Sequence, residues 1–224
     1  MAQVFKQQAY LELKRRLVNC EYKPGTWINE TALVKELGFS RTPIREALAL
    51  IEQEGFIRII PKKGIFVTQI SFNDVKQIFQ IRKAIEPIAL QLASPHLPRK
   101  KLLEFRNLFT GQDPDIRVAF RLDTAMHLFI IEHCGNRYII EMLRKVFEEN
   151  TRIIISSRQN ELMIHDARAE HTEILDLLLG GKFEQAAAVM LSHVQHCERA
   201  AIEFFYNSSS VEEPWSMFQV SLDH

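Results

Sequence analysis

Apolar side chains change their period twice along this chain. Between residues 30 and 51 they recur at helical spacing in two short stretches, Ala32, Leu33 and Leu37 and then Ile44, Ala47, Leu48 and Ile51, which predicts two helices with one buried face each. Gly38 is a C-cap residue, so Gly38-Phe39-Ser40 reads as a tight turn and the pair as a helix-turn-helix. Phe56–Ile60 and Ile65–Thr68 are β-branched or aromatic runs around Pro61-Lys62-Lys63-Gly64, a predicted hairpin with a basic tip. From Ser71 onward helical spacing returns. Six helices are expected, over about Ser71–Ala93, Pro98–Phe109, Asp115–Cys134, Arg137–Ser157, Asp166–Leu179 and Phe183–Tyr206, with a loosely held tail around Ser208-Ser209-Ser210 and Pro214. Ser71-x-x-Asp74 is a capping pattern for the first, and its expected buried stripe is Val75, Ile78, Ile85, Ala89 and Leu92. The fold class is therefore mainly α: a winged helix-turn-helix over 1–70, then an all-α bundle over 71–224.

The second short helix carries chemistry on the face its apolar residues leave outside. Arg41 and Arg45 are four apart and project from one side near the helix start, where Ser40 or Thr42 can cap and the missing N–H of Pro43 does no harm. A basic face at a helix N-terminus, followed by a wing, suits the major groove of DNA. Arg41, Thr42 and Arg45, with Lys63 and Gly64 at the wing tip, are the expected DNA-binding residues.

Charge supports this once it is divided. The chain has 28 Lys and Arg against 28 Asp and Glu, but residues 1–70 hold 11 basic and 7 acidic residues and residues 71–224 hold 17 and 21. The part that would face phosphate is the basic part. Cys20, Cys134 and Cys197 form no CxxC pair, which argues against a disulfide framework or a cysteine zinc site. The first 17 residues have no apolar core of a signal peptide and no stretch nears the roughly 18 apolar residues of a membrane span, so a cytoplasmic location is expected.

In the helical part, Asp123 and His127 stand one turn apart on one helix face, and His171 and His193 lie on two later helices. Three helices of a bundle can converge on one centre, and neutral imidazoles with a carboxylate suit zinc, nickel or another first-row divalent ion. Each histidine alone reads as an ordinary hydrogen-bonded helix residue; the four together read as a site. His96, His133, His165 and His196 fit no such pattern. Arg82 and Glu86, at i, i+4, read on spacing alone as a surface ion pair.

Pro24-Gly25, Ser40–Leu48, Glu54-Gly55 and Lys63-Gly64, in this order of elements, resemble the GntR family of bacterial transcription regulators over about residues 5–70. Asp123-x-x-x-His127, Gly135-Asn136, Glu170-His171 and Met190-x-x-His193 resemble the FCD effector domain of its FadR-like branch, in the shorter six-helix version. That resemblance implies a homodimer on operator DNA, a metal held by Asp123, His127, His171 and His193, and a small carboxylate effector paired with Arg82, with Asn136 as a second polar contact. It also implies repression relieved by ligand. Two positions depart from the pattern: Thr31 stands where one member has an arginine, and Met126 where phenylalanine is common. The alternative function is a metal-dependent hydrolase fused to a nucleic-acid-binding domain, for which no residue stands at a motif-defined place as general base.

Overall fold

A computed structural model describes residues 2–111, 116–157 and 166–208. Helix α1 (Ala2–Val18) precedes a two-residue strand β1 (Trp27–Ile28), α2 (Glu30–Leu37), α3 (Arg41–Gln53) and the strands β2 (Ile57–Ile60) and β3 (Gly64–Val67). The strands form one antiparallel sheet in the order β1-β3-β2, with Trp27 opposite Phe66, Ile59 opposite Ile65 and Ile60 opposite Gly64. This is the winged helix-turn-helix, with two elements the apolar pattern did not disclose. One is α1, which packs along α3 by Ala9, Leu13 and Leu17; the other is β1, which widens the hairpin to three strands.

Local chemistry sets the turn. Asn29 caps α2 by accepting from the N–H groups of Thr31 and Ala32, and Gly38 ends it in the left-handed region at φ 72°. Gly64, at φ 119°, is required by the wing: a Cβ there would meet the Ile28 carbonyl oxygen at 3.2 Å. Its glycine therefore serves the approach of β1 to the hairpin.

The bundle follows as α4 (Phe72–Ala93), a short 3-10 turn (Ser94–His96), α5 (Arg99–Thr110), α6 (Ile116–Glu132), α7 (Arg137–Ser157), α8 (Arg168–Leu179) and α9 (Phe183–Ser208). The start expected at Asp115, His165 and the tail around Pro214 lie outside the described residues. The capping box at the head of α4 is complete, Ser71 Oγ accepting from Asp74 N and Asp74 Oδ2 from Ser71 N at 2.7 Å. α4 lies along α9 and also meets α6 and α7, while α5 packs on α8.

The buried stripe of α4 is rotated from the one its apolar residues suggest. Leu92 is exposed, and the inward face reads Val75, Phe79, Arg82, Glu86, Ala89, Leu90 and Ala93. Two charged residues occupy the centre of that face because each is the other's partner.

Candidate functional site

The helix-turn-helix presents the basic face that the spacing predicts. Ile44, Ala47, Leu48 and Ile51 are buried and Arg41, Thr42 and Arg45 are exposed. Ser40 is the N-cap residue of α3 by position, yet its side chain makes no capping bond. Arg45 is 65 % exposed and Arg45 Nε donates to Glu30 Oε1 at 2.8 Å, which aims it across the turn. Lys62 and Lys63 are exposed at the wing tip, Lys62 at φ 66°.

Asp123 and His127 on α6, His171 on α8 and His193 on α9 converge, each offering a ligand atom within 4.8 Å of the others. His127 Nε2 lies 3.1 Å from His193 Nε2, His171 Nε2 3.3 Å from His193 Nε2 and 2.9 Å from Asp123 Oδ1, and His127 Nε2 3.6 Å from Asp123 Oδ1. An ion about 2.1 Å from each ligand holds neighbouring ligands about 3.0–3.4 Å apart. The three histidines are buried, while Asp123 keeps 19 % of its side-chain surface exposed. Asp123 is thus the least buried of the four.

Hydrogen bonding behind the rings decides what faces inward. Glu86 Oε2 lies 2.7 Å from His127 Nδ1 and Glu170 Oε2 lies 2.9 Å from His193 Nδ1. Burial pushes the Glu86 carboxyl up, but Arg82 and His127 outweigh it and hold it down at about 2. Glu86 is thus an acceptor, so a neutral His127, the form that ligates a metal, carries its proton on Nδ1 and points its Nε2 lone pair inward; Glu170 favours the same tautomer in His193. His171 Nδ1 is buried with no partner among the described residues. At most one ring N–H, that of His171, then stands against three acceptors, Cys197 Sγ adding only a weak thiol donor 3.6 Å from His193 Nε2. A divalent cation satisfies all four ligand atoms, so the residues fit a metal.

Burial also holds His193 down at about 4, with Glu170 opposing. For Asp123 burial raises the carboxyl, and the hydrogen bond from His171 with the neighbouring imidazoles more than offsets this, leaving it well below the usual range. In metal-free protein the folded state therefore binds a proton at His193 less readily than the unfolded chain. That contribution to stability is present above pH 6.5 and is lost as pH falls toward 4, by up to about 1.4 kcal/mol per pH unit. Thermal melts in chelator should drop between pH 7 and 5; a flat profile would contradict the buried neutral histidine.

Arg82 and Asn136 stand differently from expectation. Arg82 is 2 % exposed, so its pairing with Glu86 is a buried one, and its Nη1 donates to Asn150 Oδ1 at 3.0 Å. The Phe79 and Phe147 rings flank its guanidinium. Asn136 is exposed and its Oδ1 accepts from the N–H groups of Tyr138 and Ile139, so its side chain caps α7 instead of lining a cavity. His196, which fits no sequence pattern, hydrogen-bonds Glu170 behind His193. His133 bonds the Phe129 carbonyl and His96 is exposed. Asn150 was not legible as a partner of Arg82. Its one signal is a polar residue in the apolar stripe Leu143, Val146, Phe147 of α7.

Comparisons with known proteins agree with this architecture. The family model of the bacterial regulatory proteins, gntR family, matches residues 5–67 and that of the FCD domain residues 77–196. The chain is 30% identical over 202 residues to the uncharacterized HTH-type transcriptional regulator YdhC of Bacillus subtilis, covering 85% of this chain and 88% of the relative. It is 27% identical over 182 residues to the Nta operon transcriptional regulator of Aminobacter aminovorans, covering 80% and 85%. The solved structure of E. coli McbR/YncC shares the fold at a TM-score of 0.78 and 20% identity, over 91% of this chain and 99% of that one. The Bacillus and Aminobacter relatives are named as transcriptional regulators, and nothing in them supports the hydrolase reading. Among the described residues no helix is long and apolar enough to cross a membrane.

Proposed function

The chain belongs to the GntR family of bacterial regulatory proteins and is a DNA-binding transcriptional regulator with an FCD domain, and from this we propose that it is a metal- and metabolite-controlled repressor. Residues 1–70 are the DNA-reading unit and residues 71–224 the effector and dimerisation unit. In this reading two copies bind two half-sites, Arg41, Thr42 and Arg45 contact bases and phosphates, and Lys63 and Gly64 carry the wing toward the minor groove.

The observation that carries the regulatory half is the buried convergence of Asp123, His127, His171 and His193 on one centre. These four would hold zinc or nickel. When bound, the ion supplies a Lewis-acid centre to which a small carboxylate can bind. Access in this reading lies on the side of Asp123, the least buried ligand. Arg82 supports this reading in a changed role: it holds Glu86, which fixes His127, and so contributes its charge to the ligand set from behind.

A thermal-shift screen of carboxylate metabolites, with and without chelator, tests pocket, metal and ligand class together, because bound ligand raises apparent stability. Stabilisation by a carboxylate that chelator abolishes is the expected result. Carboxylate binding that survives complete metal removal would overturn the metal-held effector.

A further inference from the structure

Helix α7 has two buried faces with different partners. On one, Leu143, Val146, Phe147 and Asn150 turn into the bundle. Asn150 accepts from Arg82, Arg82 holds Glu86 and Glu86 holds His127, while the Phe147 ring lies against both the Arg82 guanidinium, at 4.8 Å, and the His127 ring, at 5.4 Å. This face is the wall behind the metal centre.

Rotated roughly 150° around the helix axis, Glu148 and Arg152 face the DNA-reading unit. Arg152 is 2 % exposed; its Nη2 donates to the Thr68 carbonyl oxygen, just past β3, at 2.8 Å, and its guanidinium covers the Phe56 ring at 5.1 Å. Arg152 Nη1 is held by Glu149, and its backbone carbonyl accepts from Cys20. Glu148 pairs with Lys14 at 2.9 Å, and Lys14 in turn with Glu54 at 2.8 Å, where Glu54 also accepts from Tyr10 at 2.6 Å. Glu54 is the C-cap residue of the recognition helix α3. The two contacts therefore reach the base of the wing and the end of the recognition helix.

We propose that α7 transmits the state of the metal centre to the DNA-reading unit, with Asn150 and Phe147 as its sensing contacts and Arg152 and Glu148 as its output contacts. It rests on the metal reading above. The physical link is a buried chain, His127–Glu86–Arg82–Asn150, in which Glu86 and Arg82 are each held from both sides and Asn150 ends the chain on α7. With His127 engaged as a ligand its Nδ1–H is a stronger donor, which draws Glu86 toward it and shifts Arg82 onto Asn150. Buried ionic groups have discrete partners, so such a shift is passed on as a change of α7 position instead of being absorbed as it would be by solvated side chains.

Hydrogen–deuterium exchange of the full-length protein with Zn2+ or with chelator reads both ends of the path at once. In the parent protein the metal should slow exchange in α6, α8 and α9, and change it by at least about fivefold in residues 52–68. Arg152→Met should keep the first change and lose the second. Glu148→Gln, at a half-buried position, provides the same test should Arg152→Met not fold. A change around the cluster without one in residues 52–68, or a distal change that survives in the folded variants, overturns the transmission role. No change at α6, α8 and α9 overturns the metal reading itself.

Discussion

Replacing Arg41 and Arg45 together by alanine should reduce affinity for the protein's operator by at least about thirtyfold, two bidentate or phosphate-held arginines being worth about 1–3 kcal/mol each. Both side chains are exposed on α3, and the intramolecular bond at stake is the ion pair of Arg45 with Glu30. An exposed pair of this kind contributes at most about 1 kcal/mol, so the melting temperature should hardly move. The slope of log affinity against log salt should also flatten by about one for each phosphate that the variant leaves without its arginine. DNA upstream of the protein's own gene is the substrate to try first, titrated by fluorescence anisotropy at two salt concentrations. A folded double variant that still discriminated this DNA from random sequence would remove α3 from the reading role.

The distinction between what spacing could show and what it could not runs through the same residues. α2 and α3 were legible because caps and apolar stripe coincide: Gly38 closes one helix and Ile44, Ala47, Leu48 and Ile51 bury one face of the other. The capping box at Ser71 and Asp74 fixed the start of α4 in the same way. By contrast α1 buries a residue only every fourth position and leaves Val4, Phe5 and Leu11 in solvent, so its stripe is narrow and its stability comes from packing on α3. β1 is two residues long and exists through pairing with β3, which no local pattern encodes.

The centre was legible as a set of ligand types and illegible as a network. Asp123 and His127 share a helix face by spacing, but the convergence of His171 and His193 depends on how α8 and α9 pack. An apolar-stripe reading places Arg82 and Glu86 outside, since charged residues are rarely buried unless paired. Here the pairing is the reason for burial, and it rotates the inward face of α4. Asn136 shows the converse: a polar residue beside a glycine at a helix start is accounted for by capping α7. A buried polar residue such as Asn150 can be recognised only once its partner's position is known.

His171→Ala combined with His193→Ala should abolish metal uptake, from about one divalent ion per chain in protein purified without chelator to none by elemental analysis. The accompanying change in stability in chelator should be small. In chelator the parent holds imidazole lone pairs of His127 and His193 3.1 Å apart in a buried space, so removing two rings relieves an unsatisfied arrangement while opening a cavity. These effects oppose each other, and the chelated variant should melt within a few degrees of the chelated parent. Metal should then separate the two proteins: at a thousandfold excess over Kd a ligand adds about 4 kcal/mol, roughly 10 °C for a chain of this size. The parent should gain that shift with Zn2+ or Ni2+ and the variant should gain none. A double variant that kept its ion, or a parent whose melting did not respond to either metal, would mean that these four residues pack as a hydrogen-bonded core. Because Glu86 and Glu170 orient His127 and His193 from behind, Glu86→Gln should weaken metal binding by about 10- to 100-fold without abolishing it. A graded loss from the outer carboxylate and a complete loss from the ligands would together separate coordination from packing.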